Sequence, residues 1–200
     1  MNNRQREESL TLEILEAIEQ RDDLTQRHLA NKLGVALGLA NSYLKRCVRK
    51  GLVKIHQAPA NRYLYYLTPT GFAEKSRLTA KYLSISFDFY RKAGNSFRQV
   101  FKYSKQQGWE NILFCGISEL SEIASLRINE FELQHVATYE SGSNLKAFLG
   151  KPVWNNLDNC TDVDAFLITS LDAPNEMYQQ VILLVDKNRV MVPEILGLTH

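Results

Sequence analysis

Leu10, Leu12, Ile14, Leu15 and Ile18 recur at helical spacing with Glu13, Glu16, Glu19 and Gln20 between them, which predicts an amphipathic helix over 9–20. A second helix is predicted within 24–34. Thr25 stands as its N-cap, Leu24 and Leu29 occupy the two positions of a hydrophobic staple, and Gly34 ends it in a tight turn. Over 36–50 a third helix places Leu39, Tyr43, Leu44, Cys47 and Val48 on an inward stripe. Its other face carries Asn41, Ser42, Lys45, Arg46 and Arg49, and Gly51 follows as the residue that closes it.

Two short helices around a Gly-containing turn, the second basic on its outer face, make a helix-turn-helix. The next segment adds a hairpin where a wing belongs: LVKIHQ over 52–57 and YLYYL over 63–67 flank a loop with Pro59 and Asn61 as turn residues, and Arg62 stands near its tip. Tyr63, Tyr65 and Tyr66 are expected to pack on their own domain rather than stack on bases. Thr68 and Pro69 then open a helix running to about residue 92, a break is expected at Gly94, and a second helical piece covers 96–107. Its apolar residues, Phe72, Leu78, Tyr82, Leu83, Ile85, Phe87 and Phe89, exceed what a wing domain needs. A two-fold homodimer is the expected cover, with packing against the second half of the chain as the competing reading.

The second half has a different rhythm. NILFC over 111–115 is an apolar run ended by Gly116. ISELSEIASLRI follows with Leu120, Ile123, Ala124 and Ile128 at helical spacing. FELQHVAT over 131–138 reads as a second strand, DAFLIT over 164–169 as a third, 174–185 as a helix and 190–192 as a short fourth strand. Strands alternating with helices predict a small parallel sheet. The whole is thus an α+β winged helix-turn-helix over 1–68, a helical linker and dimerisation region over 69–108, and a small α/β Rossmann-like domain with a parallel sheet over 109–200.

Charge sharpens this division. Up to Lys105 the chain has nineteen Lys or Arg against nine Asp or Glu, and from Gln106 onward five against thirteen, so a half of +10 is joined to a half of −8. A basic half suits a polyanion, because cations that neutralise phosphates release counterions. Its placement on the third helix and wing points to double-stranded DNA. Thr25, Gln26, Arg27, Leu37, Gly38, Asn41, Ser42, Lys45, Arg46, Arg49, Asn61 and Arg62 are the candidate contacts, Arg62 reaching a flanking minor groove.

LTQRHLANKLGVALGLANSYLKRCVRKGLVKI, followed by YLYYLTPTGFAEKSRLTAKYL, resembles the MarR-type winged-helix regulators found with exopolysaccharide gene clusters. The likeness covers about half the chain, residues 10 to 91. It implies a transcriptional regulator whose recognition helix enters the major groove. One departure stands out: such sequences often cap the recognition helix with Ser, and Ala36 stands here.

The order of pieces in the acidic half is similar to the first half of a Rossmann-like domain, as in nucleotide-sugar-modifying and CoA-binding proteins, and FLGKPVWN over 148–155 resembles their G-x-P-V segment. The phosphate loop departs from G-x-G-x-x-G, with Gly116, Ser118 and Ser121 at the three positions. The acidic residue expected after the second strand is displaced to Glu140, beyond Ala137 and Thr138. Two readings stay open, a degenerate domain for assembly and a sensor of a nucleotide-type effector. In the second, Gly116, Ser118, Glu119, Ser170 and Asp172 would line the carboxyl ends of the strands, where open α/β sheets bind ligands.

No enzyme signature rises above this. His28, His56, His135 and His200 are scattered, and the pairs Asp22 with Asp23 and Asp162 with Asp164 read as loop solvation. Cys47, Cys115 and Cys160 lack zinc or redox spacing and read as reduced thiols of a cytoplasmic protein. There is no membrane-length apolar run, and the start MNNRQREES is unlike a signal peptide. No metal or cofactor is expected. The leading reading is a homodimeric, sequence-specific DNA-binding regulator. Its rivals are a winged helix that docks proteins and a nucleotide- or sugar-nucleotide-binding enzyme built on the acidic half.

Overall fold

A computed structural model of the chain describes residues 3–21, 24–58, 62–158 and 160–198. Asp22, Asp23, Pro59, Asn61 and His200, singled out above, lie outside them. The chain divides into two compact units, one up to Ser86 and one from Phe87.

The first unit begins with α1 (Asn3–Gln20), α2 (Gln26–Lys32) and α3 (Leu37–Arg49). α1 starts ahead of its apolar pattern, and its polar first turns carry ion pairs. Glu7 pairs with Arg46 at 2.6 Å, Glu8 pairs with Arg4 at 3.7 Å and with Lys81, and Thr11 Oγ1 donates to the Glu7 carbonyl at 2.8 Å. α2 is capped as its sequence predicts, Thr25 Oγ1 accepting from the His28 amide at 3.1 Å. Ile14, Leu15, Leu29, Ala40, Leu44, Cys47 and Val53 meet in one buried cluster. Burial pushes the Cys47 thiol up to about 11, which keeps it protonated and inert.

The wing is an antiparallel pair, β1 (Val53–Ala58) and β2 (Arg62–Leu67), in register from Val53 opposite Leu67 to Ala58 opposite Arg62. Thr68 ties it to the next helix: its Oγ1 donates to the Gly51 carbonyl at 2.6 Å and accepts from the Gly71 amide at 3.0 Å. A Cβ on Gly71 would lie 2.0 Å from the Leu52 carbonyl oxygen, so only glycine fits where this helix crosses the chain entering the wing. Thr68 and Gly71 are thus each accounted for.

α4 runs unbroken from Pro69 to Gln106, a correction to the break expected at Gly94. Gly94 serves packing instead, since a Cβ there would stand 3.1 Å from Arg127 Nε. A single glycine inside a helix costs only about 1 kcal/mol, which packing readily offsets.

In the second unit, among the described residues, six strands order as β5 (Ala147–Phe148), β6 (Lys151–Trp154), β4 (Gln134–Tyr139), β3 (Asn111–Cys115), β7 (Ala165–Ile168) and β8 (Val190–Met191). All neighbours pair in parallel except β5 with β6, a short hairpin formed by the FLGKPVWN segment. The sequence reading of a small, four-stranded parallel sheet missed this hairpin because its two- and four-residue strands carry no alternation. α5 (Glu119–Ile128) links β3 to β4, and α6 (Pro174–Leu184) links β7 to β8. Ile112, Phe114, Ala165 and Leu167 pack on one side against α5 and Phe97 and Phe101 of α4. Leu113, Cys115, Phe166 and Ile168 pack on the other against Met177, Tyr178 and Val181 of α6. Burial on both faces is why these strands are continuously apolar.

Candidate nucleic-acid interface

α3 turns one face out of its unit. Leu37, Gly38, Ser42, Lys45 and Arg49 are exposed there, while Ala40, Leu44 and Cys47 are buried beneath them. Leu39, expected on the inward stripe, is 39 % exposed, and Tyr43 and Val48 are only half-buried. At about 100° per residue the true inward line runs through Ala40, Leu44 and Cys47, and Leu39 falls about 110° off it, on the same flank as Arg46. The helix starts without a side-chain cap, Ala36 making no such hydrogen bond.

Between α3 and the wing lies a groove of about 620 Å³ with Asn41, Ser42, Lys45 and Arg49 on the helix side, Ile55 and Tyr63 on the hairpin side and Gln26 at one end. Asn41 is half-buried, and its Oδ1 is shielded from solvent with no hydrogen-bond partner among the described residues. Tyr65 is buried on its own domain as expected, whereas Tyr63 and Tyr66 are 50 % and 41 % exposed. Tyr63 projects into the groove because β-strand side chains alternate and it shares its face with Tyr65. Thr25, Gln26 and Arg27 are exposed at the start of α2. Arg62 opens β2, described by its backbone alone.

Arg46 departs from the other α3 cations. Its Nη2 stands 2.6 Å from Glu7 Oε1, and Lys50 Nζ lies 4.0 Å from the same oxygen. Glu7 belongs to the polar start of α1, and local periodicity carries no signal for a pair separated by 39 positions.

In the second unit the strand order reverses between β3 and β7, the place where open sheets bind ligands. Here the two loops lie in contact. Gly116 has φ +112°, and a Cβ on it would sit 2.4 Å from the Ser170 amide nitrogen; Thr169 Oγ1 donates to the Gly116 carbonyl at 2.7 Å. The amides at the start of α5 are engaged by the chain itself. Ile117 N–H donates to Glu140 Oε2 at 2.8 Å, Ser118 N–H to Ser121 Oγ at 2.9 Å, and Leu120 N–H to Ser118 Oγ at 3.0 Å. Ser118 Oγ also donates to the Thr169 carbonyl at 2.5 Å. The two serines that replace glycines in the phosphate-loop pattern thus form a capping box. The displaced Glu140 places a carboxylate on the loop.

Of the five candidate ligand residues, Ser170 and Asp172 line an open cleft of about 460 Å³ together with Glu140, Ser141 and Ser143. Gly116, Ser118 and Glu119 are not among its lining. His56 and His135 fall in strands as expected and His28 is exposed on α2. None of the three cysteines is paired. Among the described residues no three His, Cys, Asp or Glu side chains cluster so as to hold a metal ion, and no helix is long and apolar enough to cross a membrane.

The family described as winged helix-turn-helix DNA-binding matches residues 8–54, from α1 into β1. No curated protein matches the sequence significantly. Among solved structures, MepR, a transcription regulator of the Staphylococcus aureus multidrug efflux pump MepA, is 25 % identical with a TM-score of 0.36, over 44 % of this chain and 62 % of that one. The PcaV transcriptional regulator from Streptomyces coelicolor is 22 % identical with a TM-score of 0.33, over 44 % and 76 %. Human N-acetylserotonin methyltransferase, solved in complex with SAM, is 9 % identical with a TM-score of 0.33, over 92 % and 75 %. The chain thus spans less than two thirds of the MepR chain, and none of these likenesses in shape is close enough to carry an argument by itself. The family match over residues 8–54 and the observed order of three helices and a hairpin agree: the N-terminal unit has the fold of a winged helix-turn-helix and is similar to that DNA-binding family.

Proposed function

We propose that this protein is a homodimeric, cytoplasmic transcriptional regulator that binds double-stranded DNA through α3 and the wing. The observation that carries the reading is the outer face of α3, where Gly38, Ser42, Lys45 and Arg49 are exposed together over a buried apolar face. A small or polar residue at each approach point admits base edges, and the two cations neutralise phosphate. Asn41 lines the groove beside them, a side chain of the type that pairs with base edges. Thr25, Gln26 and Arg27 stand where the start of α2 would meet the backbone, and Arg62, which opens β2, where the wing would reach the neighbouring minor groove; Asn61 joins them on the sequence reading alone.

Dimerisation is supported by α4, on which Tyr82, Leu83 and Ile85 are 61 %, 46 % and 48 % exposed beside an apolar groove shared with Leu12 and Leu78. Apolar surface of this kind is covered in a stable regulator, and a second copy is the simplest cover. The acidic unit is read as an assembly unit rather than a nucleotide sensor, because its loop amides and serine hydroxyls are engaged internally. The reading assigns it neither cofactor nor catalysis.

The test is fluorescence anisotropy of full-length protein on a promoter duplex across a salt series. Lys45→Gln with Arg49→Gln should weaken binding and flatten the slope of log K against log salt by about 1.8, two phosphates at about 0.9 each. Binding without salt dependence, or a double variant indistinguishable from wild type, rejects the assignment and favours a protein-docking winged helix.

A further inference from the structure

The Arg46 to Glu7 pair sets one cation of the recognition helix apart. Ser42 and Arg49 lie close to the middle of the exposed face of α3, whereas Arg46, at about 100° per residue, falls on the flank that meets α1. There Glu7 engages it at 2.6 Å, with Lys50 4.0 Å from the same carboxylate oxygen. Both partners remain open to competition, the Glu7 side chain being 29 % exposed and that of Arg46 43 %. A pair so placed adds little to stability, so a phosphate oxygen is able to take the place of the carboxylate.

We propose that Glu7 is a positioning residue that acts as an internal competitor for DNA phosphate. It holds Arg46 against α1, withdraws one cation from those the winged helix offers to the backbone, and lowers affinity for DNA of any sequence. Contacts from Asn41 and Ser42 to base edges are untouched by this, so the device weakens non-specific binding while leaving sequence readout in place. The inference rests on the DNA-binding reading above.

Because the effect is sequence-independent, a random-sequence duplex is sufficient as probe. Full-length protein is titrated by fluorescence anisotropy between about 50 and 200 mM salt. Glu7→Gln is expected to bind about 3- to 8-fold tighter at about 0.1 M salt and to steepen the salt slope by about 0.9, one further phosphate neutralised. In an Arg46→Gln background the same substitution should leave the slope unchanged. Glu16→Gln removes an equal charge nine residues on, on the opposite side of α1, and should not alter the slope of wild type. A cooperative thermal melt for each variant shows that it is folded.

A Glu7→Gln slope equal to that of wild type overturns the proposal. So does a gain that persists undiminished with Arg46→Gln or is matched by Glu16→Gln, since bulk charge would then suffice. Weaker binding by Glu7→Gln also overturns it, because Glu7 would then be holding Arg46 in its bound pose. Wild-type protein without any salt-dependent affinity removes the regulator reading together with this one, whereas steep wild-type binding with an unresponsive Glu7 removes this one alone.

Discussion

His135 makes the stability of the second unit depend on pH in a way that can be worked through from its surroundings. The ring is 6 % exposed, stacks on Phe114 at a centroid distance of 4.0 Å and an interplanar angle of 12°, and has Nε2 3.1 Å from Thr138 Oγ1. Burial, with the charge of Lys151 adding to it, pushes its pKa down to about 4. In the unfolded chain the ring takes a proton near pH 6.5. Below that value the unfolded state therefore binds a proton that the folded state refuses. The contribution is complete above about pH 6.5 and is lost as pH falls toward 4: about 2 kcal/mol by pH 5 and about 3 kcal/mol by pH 4. Both tryptophans, Trp109 and Trp154, lie in this unit, so urea unfolding followed by tryptophan fluorescence reads it selectively. His135→Gln keeps a group able to reach Thr138 but does not titrate. It should destabilise at pH 7, and its deficit relative to wild type should shrink by about 2 kcal/mol at pH 5. Because other carboxylates titrate equally in both proteins, their effect cancels in the difference. A deficit that stays constant between pH 7 and pH 5 would refute the claim that the buried ring is held neutral.

Three further outcomes follow from single positions. Ala36→Ser restores the missing N-cap of α3 and should stabilise the first unit by about 0.5 to 1 kcal/mol, read by urea unfolding with far-UV circular dichroism, while tightening DNA binding. Thr68→Val removes the hydrogen bonds to Gly51 and Gly71 at the wing exit and should cost about 1 to 2 kcal/mol in the same assay. Gly116→Ala places a Cβ within 2.4 Å of the Ser170 amide at a φ of +112° and should destabilise the second unit by about 3 kcal/mol or more by tryptophan fluorescence. A Gly116→Ala midpoint equal to that of wild type would show that the two loops part readily, and the crevice between β3 and β7 would again be open to a ligand.

What the sequence determined by itself was whatever local rules decide. The helices of the first unit, the wing, the Thr25 and Thr68 caps and the β3 strand over 111–115 follow from periodicity, capping residues and turn chemistry acting over a few positions. The exposed face of Ser42, Lys45 and Arg49 was legible for the same reason, since one helical period is enough to place it. Tertiary structure decided the rest. Gly94 reads as a break until Arg127 is seen packed against it, and the partners of the first turns of α1, Arg46 on α3 and Lys81 on α4, are brought to them only by packing. Gly116, Ser118 and Ser121 resemble a decayed phosphate loop in one dimension. In three dimensions Ser118 and Ser121 cap a helix, Gly116 lets the β7 loop close over the strand end, and Glu140 Oε2 accepts from the Ile117 amide. The same limit applies to Arg46: its helix position is written in the sequence, but its partner stands 39 residues earlier, and charge pairing across that distance exists only once the helices have packed.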